Sequence, residues 1–319
     1  MAHEMYFATP AQMRRYKATK IFGHTVTYFF LAVIGLFILI PFVFMIITSF
    51  RDHSAYDYDT INSIFHIIPP AKNAGTGGPN YSLQNYATIF TYSSLTGTKV
   101  NFGLYYANTL YVSIVGTFFT LITTILASFA FARCNFKGKN LLFTVLLGTM
   151  MIPGEMMVIT NYQTVMGLNW ENTYAALIFV HGVSVFYIFY LRQTFQQIPN
   201  ELFLAAKVDG YGHFRYLWKV MIPIAKPTII TITILSLMGA WNAYIWPNLV
   251  ASGHHSLFDW SMKLVSNGLM SLFTTSDGEV SYDTVKIAGS MVVTAPLFIF
   301  FLIFRKRIMA GISRSGIKG

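Results

Sequence analysis

Cysteine occurs once in the 319 residues, at Cys134, which excludes an internal disulfide framework. Charge is scarce too. Only 11% of residues are charged against 54% hydrophobic, a balance too apolar for an ordinary soluble domain of this length. No phosphate-binding fingerprint is present: Gly138, Lys139 and Asn140 lack both an upstream glycine loop and the Ser or Thr that closes such a cradle, so no nucleotide is expected on this chain. His254 and His255 are adjacent, without the spacing of a zinc site or an accompanying carboxylate or thiol cluster, so no metal is expected either. Paired ionisable groups inside an apolar run are also missing. Glu155 is the one acid well inside such a run, His181 has no evident partner, and no inverted repeat is evident. These gaps weigh against a stand-alone secondary carrier or channel and against a membrane-embedded enzyme.

What the chain has in quantity is long apolar runs. A bilayer core of roughly 30 Å takes about 20 helical residues. Six stretches qualify: Ile21 to Phe50, Tyr105 to Ala132, Leu141 to Tyr162, Thr173 to Leu191, Thr228 to Trp246, and Lys286 to Phe304. The expected class is therefore an all-α integral membrane protein in a lipid bilayer. The first run is too long for a signal peptide and lacks a small-residue cleavage site after it. Basic residues set the orientation. Seventeen of the 22 Lys and Arg fall before the first run, at Arg133 to Lys139, from Arg192 to Lys226, or from Arg305 onward. By the positive-inside rule, residues 1–20, the loop 200–227 and the tail 311–319 are cytoplasmic, with both termini inside, and loops 51–104 and 247–285 lie outside. The net charge of +10 is thus spread over short clusters flanking the membrane, not gathered on a nucleic-acid-binding face.

The most polar of the inner stretches is Glu201 to Pro227, ELFLAAKVDGYGHFRYLWKVMIPIAKP. Asn200 after Pro199 is expected to cap a helix that carries Leu202, Ala205, Ala206 and Asp209 at helical spacing and ends at Gly210. Tyr211 and Gly212 turn the chain, and Phe214, Leu217, Trp218 and Met221 mark one face of a second helix. Pro223 and Pro227 keep it from running into the next span. Ala205, Ala206 and Gly210 leave a shallow surface with Phe203, Phe214 and Trp218 beside it. On periodicity alone the favoured reading is an ordinary amphipathic loop packed on its own domain.

Two alanines, three residues, a glycine, nine residues, then aliphatic-x-aliphatic-proline fall here on Ala205, Ala206, Gly210, Val220, Ile222 and Pro223. This pattern resembles the EAA loop of ABC importer membrane subunits. FYIFYLRQTFQQIPNEL before it, AWNAYIWPNLV after it, SFAFARCNFKGKN and MMIPGEMMVITNYQTVMGL are similar to carbohydrate-importer permeases of the maltose type. One position departs: the family's glutamate before the alanines is Leu204 here, with Glu201 one turn earlier. The resemblance implies the six-span type I importer fold and a transport subunit, not an enzyme. It also implies a homologous permease partner, two ATPase subunits holding ATP and Mg²⁺, and an extracytoplasmic solute-binding protein, all at a bacterial cytoplasmic membrane. The loop residues Glu201, Leu204, Ala205, Ala206, Asp209, Gly210, Phe214 and Pro223 would then couple to the ATPase. GISRSGIKG at the end resembles the tail of the second, G-type maltose permease subunit, so Gly316, Lys318 and Gly319 would reach the ATPase interface.

For the cargo, a sugar oligomer or polyol, aromatic faces and amides are the fitting chemistry, though interface belts place Trp and Tyr at the same depth. Candidates are Glu155, Asn161, Tyr162, Trp241, Asn242 and Trp246, with Asn242 and Trp246 expected on one helical face. Glu155 follows Pro153 and Gly154, and a broken helix there favours a structural role for it. The outside residues Tyr56, Tyr58, Tyr81, Tyr86 and Tyr92 with Asp52, Asp57 and Asp59 fit either a docking surface for a soluble partner or interfacial anchors.

Overall fold

The computed structural model describes residues 10–51, 81–91, 102–255, 260–270 and 283–313. The docking residues expected at positions 52–59 and 92, and the tail residues Gly316, Lys318 and Gly319, lie outside them. Among the described residues there are helices and two isolated bridges, and no strand. The chain divides into two compact units, Met1–Thr88 with Tyr282–Met291, and Ile89–Ser281 with Val292–Gly319.

In the first unit, helix α1 (Pro10–Ser49) runs 40 residues, starting eleven before the expected span. Ala11 to Lys20 contains good helix formers and no Gly or Pro, so nothing stops it sooner. Pro41 lies inside it. Its end is tied to α2 (Gln84–Thr91) by a buried amide: Asn85 Nδ2 donates to Ser49 O at 2.9 Å and to Arg51 O at 2.7 Å. Tyr86 OH donates to Ser49 Oγ at 2.7 Å.

The second unit is built along α3 (Phe102–Arg133), whose two faces differ in an order opposite to a soluble helix. Leu110, Ile114, Phe118, Ile122 and Leu126 are exposed, whereas Ser113, Thr117, Thr120, Thr124 and Ser128 are buried. Small hydroxyl residues let neighbouring backbones approach and hydrogen-bond across helices in lipid, and large apolar ones face the acyl chains. Thr117 accordingly donates to Ser236 Oγ at 3.1 Å, and Ser128 to Ile188 O at 2.9 Å.

Among the described residues three helices are long and apolar enough to cross a membrane alone (within α1, α3 and α14, Asp283–Ser313), five if two bent pairs each count as one. The third expected span is such a pair, α4 (Lys139–Thr149) and α5 (Gly154–Gly167), bent by 97°. Pro153, which lacks an N–H, forces the break. The fourth is two separate pieces, α6 (Tyr174–Ile178) and α7 (Val185–Gln196), each restarted by a hydroxyl cap: Thr173 Oγ1 accepts from Ala176 N–H and Ser184 Oγ from Tyr187 N–H, both at 3.4 Å. Between them Gly182 lies so close to Phe119 that a Cβ would come within 2.3 Å of its ring. The fifth ends early. Helix α11 (Lys226–Asn242) stops at an extended Ala243, and α12 (Ile245–Val250) restarts. In a continuous helix the Pro247 ring would meet the Ala243 carbonyl, which explains the stop. Beyond it, buried Asn267 donates to Pro247 O and Ala251 O and ties α13 (Val265–Met270) back onto α12.

Candidate coupling site

Pro199 carries the non-helical backbone ahead of helix α8 (Asn200–Val208), so Asn200 is its first residue and not its cap, and no side chain caps it. The expected Asn200 cap is thereby corrected: proline's fixed φ takes the capping position and leaves the asparagine inside. Helix α8 ends as expected. Gly210 has φ +76°, and Tyr211 N–H donates to Ala206 O at 2.8 Å. After Gly212 comes α9 (His213–Tyr216), which continues through a π-helical turn, Leu217–Met221, into α10 (Ile222–Ile224). Pro223 sits just past the wide turn and Ala225 at the corner, where the direction changes by 81° into α11. A π turn relieves the clash between a proline ring and the carbonyl four residues earlier.

The hairpin has an inner and an outer face. Ala206, Tyr216, Leu217, Met221 and Ala225 are buried with Leu191, Phe195 and Ile232. Phe203 locks the two helices from within, its ring 5.1 Å from Tyr216 and 5.7 Å from His213. Glu201, Leu204, Ala205 and Val208 form the exposed face of α8, and Asp209, Gly210, Phe214 and Trp218 are exposed beside it. Val208 is 88% exposed and Leu204 54%, among the most open apolar side chains outside the apolar spans. Two expectations are corrected here. Ala206 faces inward and leaves no surface, and Phe203 is an internal lock, not a knob; only Phe214 and Trp218 project.

A pair of arginines, not among the expected site residues, holds the hairpin to the spans. Arg133, the last residue of α3, donates through Nη2 to Phe195 O at 3.1 Å and to Ile198 O, and through Nη1 to Asn200 Oδ1 at 3.4 Å. Arg192, on α7, returns the contact: its Nε donates to Phe131 O at 3.2 Å, and its guanidinium lies 3.9 Å from the centre of the Phe143 ring. Each helix thus lends a cation to the last carbonyls of the other, where the helix dipole is negative. The sequence signal was available, since both arginines close apolar spans, but a positive-inside count treats such residues as topology alone. Burial pushes the Tyr216 phenol above its ordinary pKa, partly opposed by the charge of Arg133, and its hydroxyl finds no partner among the described residues.

The expected cargo residues do not form one site. Trp241 is buried, donates Nε1–H to Val293 O at 3.2 Å and rests on Tyr106. Trp246 is buried against the α6 segment and donates to Ala176 O at 3.0 Å, and half-buried Tyr162 packs on the same cluster. Asn242, exposed, donates to Met238 O at 2.9 Å. The shared face expected for Asn242 and Trp246 is absent because the Pro247 break puts them on different helices. Asn161 is half-buried on α5, and Glu155 is exposed in its first turn, where the helix dipole favours a carboxylate. His255 packs its ring near Tyr174 and Trp260, and among the described residues no group of His, Cys, Asp or Glu could hold a metal.

This arrangement of helices recurs in a solved structure. It matches the crystal structure of a bacterial ABC transporter involved in the import of the acidic polysaccharide alginate with a TM-score of 0.73, covering 95% of this chain and 99% of that one at 20% identity. The chain belongs to the family of binding-protein-dependent transport system inner membrane components, which it matches over residues 120–315, more than half its length. It is 29% identical over 92% of its length to the arabinooligosaccharides transport system permease protein AraQ of Halalkalibacterium halodurans, covering 95% of that protein. It is 28% identical over 88% to the trehalose/maltose transport system permease protein MalG of Thermococcus litoralis, covering 92% of it. With the sn-glycerol-3-phosphate transport system permease protein UgpE of Yersinia pestis the identity is 27% over 70%, covering 76% of that protein. The chain is therefore a multi-pass permease subunit of the inner membrane, a transport component and not an enzyme, and membership brings with it an ATPase and a solute-binding protein.

Proposed function

We propose that this chain is one half of the transmembrane path of an ATP-driven carbohydrate importer, with a homologous permease as the other half and two ATPase subunits holding ATP and Mg²⁺. The observation that carries this reading is the hairpin from Asn200 to Ile224. It is locked inside by Phe203 and Tyr216 and tied to two spans by Arg133, while outside it offers Leu204, Val208, Phe214 and Trp218 to a partner. Basic residues flank it, so this apolar surface sits where lipid tails do not reach, with both termini on the same cytoplasmic side. Closure of the ATPase dimer pushes on Leu204, Ala205, Gly210 and Phe214, and the arginine tie carries the displacement into α3 and α7. The path then switches between inward-facing and outward-facing states. The tail residues Gly316, Lys318 and Gly319 enter the ATPase interface, and the binding protein delivers cargo from outside to six spans, three of them broken.

The cargo is a neutral oligosaccharide or polyol. Relatives are named for oligosaccharides and for glycerol phosphate, and charge separates the two. No Lys or Arg occurs between Leu141 and Leu191 or between Pro227 and Met262, so these spans offer nothing to offset a phosphate in a low-dielectric path. Gly210→Trp tests the coupling. The complex is expected to assemble with its ATPase and hydrolyse ATP while uptake is lost; normal uptake at normal expression overturns the reading.

A further inference from the structure

The breaks in the third and fourth spans have a common level. Helix α4 has 11 residues and α7 has 12, so each covers about 17 Å at roughly 1.5 Å per residue between the basic end and its break. In a hydrocarbon core of about 30 Å, both breaks fall near the middle. Packing gives the same level independently. Phe143 stacks on Phe189 at 6.4 Å, Leu146 and Leu147 pack with Ile188, and one turn further along α3 Thr123 donates to Gly182 O at 2.7 Å. Two consecutive spans therefore leave the helix at one depth. Backbone outside a helix is tolerated at that depth only where protein covers it or where it lines a water-filled cavity.

His181 lies in the second break and is exposed in this chain. Its imidazole is set edge-on to Trp246, ring centres 5.3 Å apart and 65° between planes, and Trp246 is itself pinned by its bond to Ala176 O. The ring is thus backed on one side and open on the other.

Resting on the importer reading above, we propose that His181 lines the cargo path at mid-membrane and hydrogen-bonds the hydroxyls of an uncharged saccharide, with Trp246 fixing the ring's orientation. A neutral imidazole offers one donor and one acceptor, which matches a hydroxyl's ability to do both. The contact needs no charge, in keeping with spans that carry no Lys or Arg at this level.

The lone cysteine makes a direct test simple. In a Cys134→Ser background, His181→Cys in the assembled complex is exposed to a membrane-impermeant, water-soluble thiol reagent without nucleotide and with ATP bound. Phe118→Cys, on the outward face of α3, is the lipid-facing reference. His181→Cys is expected to react in at least one state, Phe118→Cys in neither, and maltotriose or arabinotriose to slow the reaction severalfold while sn-glycerol 3-phosphate does not. Failure to react in both states, reaction no faster than at Phe118→Cys, indifference to both saccharides, or protection by sn-glycerol 3-phosphate overturns the proposal. The importer reading fails separately, if no ATPase accompanies the purified variant.

Discussion

The basic ends of α3 and α7 and the middles of the same two helices are held in opposite ways. At the ends, Arg133 and Arg192 exchange contacts with each other's terminal carbonyls, Ser128 bonds Ile188 O, and a cluster around Phe195 and Tyr216 closes beneath them. A few turns up, α3 continues unbroken, whereas α7 has given way to the Phe179–Ser184 segment, kept against α3 by Thr123 and by the close fit of Gly182 on Phe119. The ends are cross-tied and act as one block with the hairpin. The middle depends on Phe119, which meets Gly182 and lies edge-on to Phe179 at 5.1 Å, and on one hydroxyl, with no charged group across it among the described residues. A push on the hairpin therefore has a stiff lever below and a more yielding joint above.

Removing the tie at the lever should have the largest effect. Arg133→Ala deletes charge-assisted bonds to two carbonyls, and at roughly 1.5 to 3 kcal/mol for a hydrogen bond to a charged group the loss is about 3 kcal/mol or more. Arg133→Lys keeps the charge but cannot fork between Phe195 O, Ile198 O and Asn200 Oδ1, so it should recover only part. Denaturation of the purified complex reads the stability, and ATP hydrolysed per molecule transported reads the coupling. If Arg133→Ala leaves both unchanged, the lever and the joint do not differ as described.

At the joint the effect should be smaller and reversible. Gly182→Ala sets a Cβ 2.3 Å from the Phe119 ring, an overlap the ring or the broken segment must relieve, for about 1 to 3 kcal/mol. Phe119→Leu in the same chain removes the overlap and should restore most of the loss, a coupling that a double-mutant cycle measures. Additive losses would mean that the two residues do not meet.

Much of the hairpin was legible in the sequence because local rules decide it. Gly210 is expected to end a helix and takes the left-handed conformation that does so, and the corner into the next helix falls at Ala225, between Pro223 and Pro227. What misled was finer. Adjacent alanines lie about 100° apart on a helix, and which of them faces inward is decided by packing against Leu191, Phe195 and Tyr216, which local spacing does not reveal. The spans were legible as apolar runs but not as continuous helices, since hydropathy does not register a break: three of the six runs are interrupted, before Gly154, between Ile178 and Val185, and between Asn242 and Ile245. The pairing of Asn242 with Trp246 failed for that reason. The arginine exchange was hidden for another, because it joins residues 61 and 62 positions apart that only packing brings together.

The smallest effect should come from a group the lever carries without using. Tyr216 is fully buried, Phe203 packs on its ring at 5.1 Å, and its hydroxyl has no partner among the described residues. An unpaired buried hydroxyl has lost its water and gained nothing, so Tyr216→Phe keeps the ring contacts and removes the liability. Stability should be unchanged or raised by about 1 kcal/mol, with uptake at the parent level. Tyr216→Ala, which also removes the ring that Phe203 packs on, should instead cost about 3 to 5 kcal/mol. The contrast separates shape from polarity: the hairpin needs an aromatic ring at this position, and a Phe variant clearly less stable than the parent would reveal a hydrogen bond that the packing gives no reason to expect.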